Sequence, residues 1–566
     1  MPRPVVAALF ATLLPLSLAA DTQGDEPQPQ GVVVEAPRQV TGNPNPTRLF
    51  DIPALAVHPD DPLTVVMAVG DARHGGCGLY VSRDGGLSWT NTAPNLMPED
   101  LPFCYQRPLF PVMSPVFASD GTLHVAMPAS SPESGHPNGP ISMLAARSND
   151  LGVTQEVVTV AEGGRITADP ADFGQRGDPQ EAFTWYKSPS LAVDPNDPDK
   201  LYLAMRWNVW GTDLQAFSGD VPFRPYFARS EDGGETWSEP IDIVRHADGE
   251  SIYGALNHEL VVAPDGTIYS FSREWPAPVP EGAPRPDPRL LMFKSTDGGQ
   301  RWEISVFLEG VENFRVPYPA VDTGNGNLYV VYGSTGPDTP GDGSPAPQEI
   351  YFTASEDGGE TWSEPVQISD APDDNPADSL EPGIDVAPNG RIDVAWHDFR
   401  NDPFGQSAAT GGHAAGERYW DVYHTHSTDG GLSWAPNIRV TKTSIDGAEG
   451  ATFNNFDVRG PIGVASTNDA AYIAWADSRA SGKNGEAEDA YFTRVRFGVP
   501  VEPTAASAVT ESRVLWSGLG AGGAFALAGL LLFVGVRFMR AKSGPRDKET
   551  LPQHAHERSV TNAGTR

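Results

Sequence analysis

Cysteine is nearly absent from this chain, with Cys77 and Cys104 the only two among 566 residues. There is no CxxC pair and no His/Cys cluster, which excludes the ligand spacing of a structural zinc site, so neither a metal nor any other cofactor is expected. Positive charge is scarce as well: 39 Lys and Arg stand against 74 Asp and Glu, a formal net charge of −35. Binding nucleic acid needs a basic footprint, and this surface would repel phosphate. Long uninterrupted apolar runs are confined to the two ends of the chain.

The first of these, in "MPRPVVAALFATLLPLSLAADTQG", has one basic residue, Arg3, then an apolar stretch from Val5 to Leu18 and small residues before Asp21. It reads as a secretion signal over residues 1–20. The second, residues 514–536, carries no charge and is long enough to cross a hydrocarbon core. Residues 537–566 beyond it hold seven Lys and Arg against three acids. Positive flanks stay in the cytoplasm, so the expectation is a cell-membrane protein with a single C-terminal transmembrane helix and the bulk of its mass outside. In an oxidising compartment Cys77 and Cys104 form either a disulfide, contributing about 3–4 kcal/mol for a loop of this size, or two buried thiols.

Between the ends, Gly (59) and Pro (54) are abundant, yet the apolar runs between them are too regular for disorder, as in a loop-rich all-β protein. One phrase recurs: "SRDGGLSW" at Ser82, "SEDGGETW" at Ser230, "STDGGQRW" at Ser295, "SEDGGETW" at Ser355 and "STDGGLSW" at Ser427, with a degraded copy, "SNDLGVTQ", at Ser148. The Asp positions (84, 150, 232, 297, 357 and 429) stand 60 to 82 residues apart, and each interval repeats strand, tight turn, strand, variable loop, strand, phrase. A final unit, "GPIGVASTNDAAYIAWADSR" with "AYFTRVRF", lacks the phrase. Seven units of four short antiparallel strands predict a β-propeller. "GVVVEAP" at residues 31–37 is positioned to supply the strand missing from the last unit and so close the ring. In the phrase, Gly supplies positive φ for a tight hairpin, Ser and Asp bond the turn's own amides, and Trp packs under the loop.

SxDGGxTW resembles the Asp-box, the bacterial neuraminidase repeat of sialidases and related propellers, over about residues 47–498. The resemblance implies an all-β, sialidase-type propeller, of seven blades by the repeat count or six by family habit. It makes Asp84, Asp232, Asp297, Asp357 and Asp429 structural and places them away from any active site. The organisation expected is a signal over 1–20, an N-terminal segment over 21–46 with the ring-closing strand, the propeller over 47–498, a linker over 499–513, the span over 514–536 and a basic tail over 537–566.

Sialidases hold a sugar carboxylate with three arginines and attack with a Tyr activated by a Glu, while a loop Asp acts as acid and base, departing from the ordinary two-carboxylate scheme. Where the family has Arg-Ile-Pro this chain has "FDIPAL", with Asp51 in place of the first arginine, and "HGGCGLY" lacks the loop Asp. A rearranged site draws on "FRVPYPAV", which offers Arg315 and Tyr318, together with Glu381. Arg73, Arg400 and Arg479, each in an Asp-x-Arg, join Arg315 as ligand-binding candidates. Guanidinium groups hold carboxylates bidentately. In the alternative, each Asp-x-Arg arginine pairs with an acid that opens the neighbouring third strand, such as Asp421 or Asp489, and fixes blade geometry. Cys77 and Cys104 fall on the same face, opposite the repeated turns, which favours their pairing. Two readings follow: recognition of an acidic glycan or a cell-surface protein by an arginine-containing face, or an exo-acting sialidase-type glycoside hydrolase with Tyr318 and Glu381 as its catalytic residues.

Overall fold

The computed structural model describes residues 29–498, apart from residue 30 and the segments 43–47, 72–74, 94–95, 99–100, 102–103, 105–111, 131–138, 169–179, 212–222, 276–278, 280–288, 311–315, 336–346, 373–376, 404–418, 448–459 and 481–486. The predicted signal, linker, membrane span and basic tail lie outside the described residues, as do Arg73 and Arg315. Among the described residues no helix is long and apolar enough to cross a membrane.

The described part is all-β. Five sheets hold one four-stranded antiparallel meander each, and a nine-stranded sheet holds two, joined where Trp185 pairs in parallel with Ile141. In chain order the meanders begin with the strands Phe50–His58, Ser114–Phe117, Gln180–Asp194, Gly254–Val262, Tyr318–Val321, Ser379–Val386 and Gly463–Ser466. These first strands touch one another in sequence, and the seventh returns to the first. The second strands, such as Leu328–Ser334 ("LYVVYGS") and Ile392–Asp398 ("IDVAWHD"), are buried throughout. A short continuous apolar run suits a strand covered on both faces, and here the covers are the adjacent sheets. Aromatic and aliphatic clusters fill each interface, for example Tyr329, Val331, Phe352, Trp396 and Tyr423 between the fifth and sixth meanders.

The last meander takes its outer strand from the other end of the chain. Val33–Val34 pairs antiparallel with Asp489–Arg496, Val33 opposite Arg496 and Val34 opposite Val495. Arg48 adds a buried ion pair to Asp489, whose carboxylate also accepts from the Thr41 hydroxyl at 2.9 Å.

The repeated phrase follows the third strand of each of the first six meanders. In the first copy Ser82 Oγ accepts from the Gly86 amide at 2.7 Å and Asp84 Oδ1 from the Ser88 amide at 2.9 Å. The degraded copy keeps the same bonds through Ser148, Asp150, Gly152 and Thr154, and Leu151 takes the first Gly's conformation at φ +62°. The carboxylates are well held: Asp357, bonded by the Thr361 hydroxyl and amide, is pulled down to about 2.

Trp302 lies against its own turn, donating Nε1–H to Gly299 O at 3.1 Å, and the tryptophans also reach the neighbouring sheet. Trp89 meets Phe492 edge-on at 5.0 Å between ring centroids, Trp302 meets Phe227 at 5.0 Å, and Trp434 meets Phe352 at 4.9 Å; each Phe belongs to the third strand of the preceding meander. The second Gly lies against the same neighbour, since a Cβ at Gly86, Gly299 or Gly431 would collide with Phe492, Phe227 or Phe352. The phrase therefore joins sheets as well as turning the chain.

Candidate functional site

Four first strands carry a break in register at matching places, between Asp51 and Ala54, Lys187 and Ser190, Leu256 and Glu259, and Leu380 and Gly383. In three of them the residue before a proline has positive φ: Ile52 at 48°, Ser188 at 51° and Glu381 at 50°. Such a conformation at a non-Gly residue costs about 1–3 kcal/mol and persists only where the surroundings enforce it. Bulges of this kind re-aim side chains. All lie just N-terminal to one shared register position of the first strands, on the side away from the Asp-box turns.

Just past the bulges the seven first strands come into step. Ala54, Ser114, Ser190, Glu259, Tyr318, Gly383 and Gly463 pair with Ala68, Ala126, Ala204, Phe271, Val331, Ala395 and Ala474 of their second strands, the same register position in every meander. A cavity of about 220 Å³ is lined by the first strands of all seven meanders, including Ala54, Ser114, Glu259, Tyr318, Gly383 and Gly463. Its two sides differ. Gly383 and Gly463 leave space because the next chain passes against them; a Cβ there would strike the Ile462 and Pro53 carbonyl oxygens. On the opposite arc stand Ser114, Ser190, Glu259 and Tyr318. Ser114 Oγ accepts from the Leu191 amide at 2.9 Å and Ser190 Oγ from the Leu260 amide at 2.8 Å, tying each polar residue to the next meander.

Tyr318 Oη donates to Glu381 Oε2 at 3.0 Å, and both residues are buried. The bond links the fifth meander to the sixth, and the bulge at Glu381 turns that carboxylate towards the phenol. Glu259, in the cavity wall, is the one carboxyl among the seven residues of the layer. Burial pushes it up to about 7, with the Ser190 hydroxyl opposing part of that rise. Glu381 thus bonds the phenol directly, and Glu259 shares the register position of Tyr318 on the adjacent first strand.

The predicted arginines are placed differently. Arg400 holds its own Asp398 through Nε and Nη2, both at 2.8 Å, and Nη1 bonds Asp370 at 2.7 Å; its guanidinium lies 4.1 Å from the Tyr423 ring centre. Arg479 repeats the arrangement one meander on, with Nε 2.8 Å from Asp477 and the guanidinium 4.9 Å from the Tyr491 ring centre. In both meanders the Asp also takes a tryptophan N–H two residues earlier, from Trp396 at 3.0 Å and Trp475 at 2.9 Å. Each pairing runs within the Asp-x-Arg. Asp489, the acid expected across the strands from Arg479, accepts instead from Arg48 and Thr41. Neither Arg400 nor Arg479 lines the cavity. Arg73 and Arg315 lie outside the described residues.

Cys77 and Cys104 are joined in a disulfide, with Cα atoms 5.4 Å apart. Both are buried beside Leu96 and Met113 at the interface of the first two meanders. Among the described residues no group of three or more His, Cys, Asp or Glu is arranged to hold a metal ion. Glu259 was not among the residues singled out from the sequence. Its second-strand partner is Phe271, where five of the other six meanders have alanine, so no repeated residue marks its position.

Residues 178–386 match the BNR repeat-like domain family. No curated protein matches the chain. Among solved structures, a protein of unknown function from Dyadobacter fermentans is 13% identical with a TM-score of 0.44, covering 83% of this chain and 100% of its own. The Hadza microbial sialidase Hz136 is 17% identical at a TM-score of 0.41, over 77% of this chain and 74% of its own. The GH93 α-L-arabinofuranosidase of Fusarium graminearum is 14% identical at a TM-score of 0.41, over 81% of this chain and 97% of its own. The matched stretch, residues 178–386, holds three of the Asp-box turns and is similar to the BNR repeat-like domain family.

Proposed function

We propose that the chain is an exo-acting glycoside hydrolase, a seven-bladed propeller held on the outer side of a membrane by residues 514–536 after removal of residues 1–20. Tyr318 is its nucleophile and Glu381 the base that takes the phenol proton, the roles that the sialidase resemblance assigns to a Tyr and a Glu. The observation that carries this reading is the buried 3.0 Å bond from Tyr318 Oη, a residue of the cavity wall, to Glu381 Oε2, a carboxylate on a strained bulge. Nucleophile and base within hydrogen-bond reach is the geometry covalent catalysis requires. The cavity is smaller than the roughly 300–1,000 Å³ of a drug-sized ligand site, which suits a single terminal sugar and hence exo-action.

Recognition of an acidic glycan through an arginine face without turnover has weaker support, because Arg400 and Arg479 are engaged by Asp398 and Asp477. With Asp51 at the place of the family's first arginine, the substrate extends to neutral sugars. The test is fluorophore release by the detergent-solubilised full chain from a panel of aryl glycosides containing a sialoside, neutral pentosides and neutral hexosides. Turnover of at least one substrate, lost in Tyr318→Phe with unfolding temperature kept, is the expected result. A wild-type chain inert on the whole panel, or a Tyr318→Phe variant of undiminished activity, refutes the reading.

A further inference from the structure

The sialidase resemblance leaves one role vacant, since the chain lacks the loop Asp that serves that family as acid and base. From the register of the first strands we infer that Glu259 fills it, protonating the departing oxygen of the glycoside and later activating water. The inference rests on the hydrolase reading above.

Three observations place Glu259 in this role. It stands at the register position of Tyr318 on the adjacent first strand, Glu259 opposite Phe271 and Tyr318 opposite Val331, and the two strands are in contact. Both residues line the same cavity. On its other side Ser190 Oγ, fixed by the Leu260 amide at 2.8 Å, holds the strand next to the carboxyl. Nucleophile and acid thus come from consecutive meanders, with the small residues Gly383, Gly463 and Ala54 leaving the opposite side open to a sugar ring. Burial supports the assignment: a carboxyl raised to about 7 carries its proton at neutral pH, as a general acid must.

The chemistry balances. Tyr318 Oη bonds to the anomeric carbon and its proton passes to Glu381; the carbon–oxygen bond to the leaving group breaks as Glu259 gives that oxygen its proton. In the second half, Glu259 carboxylate takes a proton from water, the hydroxyl oxygen bonds to the anomeric carbon, and Tyr318 leaves and recovers its proton from Glu381. One water is consumed and one glycosidic bond is lost.

The test compares Glu259→Gln with wild type, as full chains, on a substrate with a poor aryl leaving group and one with an activated dinitrophenyl leaving group. An acid is needed only where the leaving group is poor, so kcat/KM should fall by about 10²- to 10⁴-fold on the first and far less for glycosyl transfer to Tyr318 on the second. The alkaline limb of the wild-type pH profile, near 7, should disappear. Glu259→Asp, a second variant against loss of folding, should restore part of the activity on the poor leaving group with a shifted limb. Equal losses on both substrates with the limb unmoved overturn the role of Glu259 and leave Tyr318 standing. Wild-type inactivity on both overturns the two together.

Discussion

Glu259 and Tyr318 hold the same register position on neighbouring first strands, paired with Phe271 and Val331. With Ser114 and Ser190 they form an unbroken polar arc over four consecutive meanders, while Gly383, Gly463 and Ala54 complete the layer without polar side chains. The layer is therefore polar along one arc and bare along the other. Three further outcomes test the physical account of the scaffold around it.

Gly86 and Gly234 are equivalent glycines of two Asp-boxes, with φ +87° and +83°, yet they meet different neighbours. A Cβ at Gly86 would collide with Phe492, whereas one at Gly234 would lie 3.4 Å from His124 Nδ1. Both alanine variants carry the backbone penalty of about 1 kcal/mol. Gly86→Ala adds overpacking and should lose more than about 3 kcal/mol in all. Urea unfolding separates the two; equal losses would show that the Phe492 contact contributes little.

Arg400→Ala should destabilise the fold by about 3–5 kcal/mol, because the fully buried Asp398 is left without its bidentate partner. KM for any substrate of the cavity should not move, since Arg400 does not line it. A stable variant with raised KM would return this arginine to the ligand site.

Glu349 gives a pH dependence of opposite sign to that of the Asp-box carboxylates. Burial raises its carboxyl from 4.5 to about 8, with the Ser369 hydroxyl at 2.5 Å opposing the rise. Between those values the folded chain keeps a proton that the unfolded chain releases, so this residue costs stability increasingly as pH rises through the window. Glu349→Gln, which cannot ionise, should therefore gain in unfolding temperature over wild type between pH 5 and pH 9. A difference that stays flat across that range would mean that Glu349 is ionised in the native state.

Much of this was legible in the sequence because a turn fixes its own chemistry. Ser, Asp and Gly in the phrase make local bonds, so five strong copies and a degraded one could be assigned without coordinates, and Tyr318 and Glu381 followed from an Arg-hydrophobe-Pro setting and a strand start. What depended on distance was not legible. The target of Trp89 is Phe492, some four hundred positions away, and no local pattern announces it. Glu259 lies beyond a bulge in "NHELVV", and an inserted residue shifts alternation by one, so its direction cannot be read until the pairing with Phe271 is known. The Asp-x-Arg arginines read as ligand groups or as ion pairs across the strands; Arg400 and Arg479 do form ion pairs, but within their own motifs, where the preceding tryptophan N–H also holds each Asp.

The pairing of Val33–Val34 with Asp489–Arg496 also orders events during biogenesis. The strand synthesised earliest must wait, unpartnered, until almost the whole chain has left the ribosome, and contacts spanning so much sequence form slowly. Any fragment ending before Asp489 therefore leaves Val33 and Val34 without a place to dock, and only a chain that extends through Arg496 can latch itself shut.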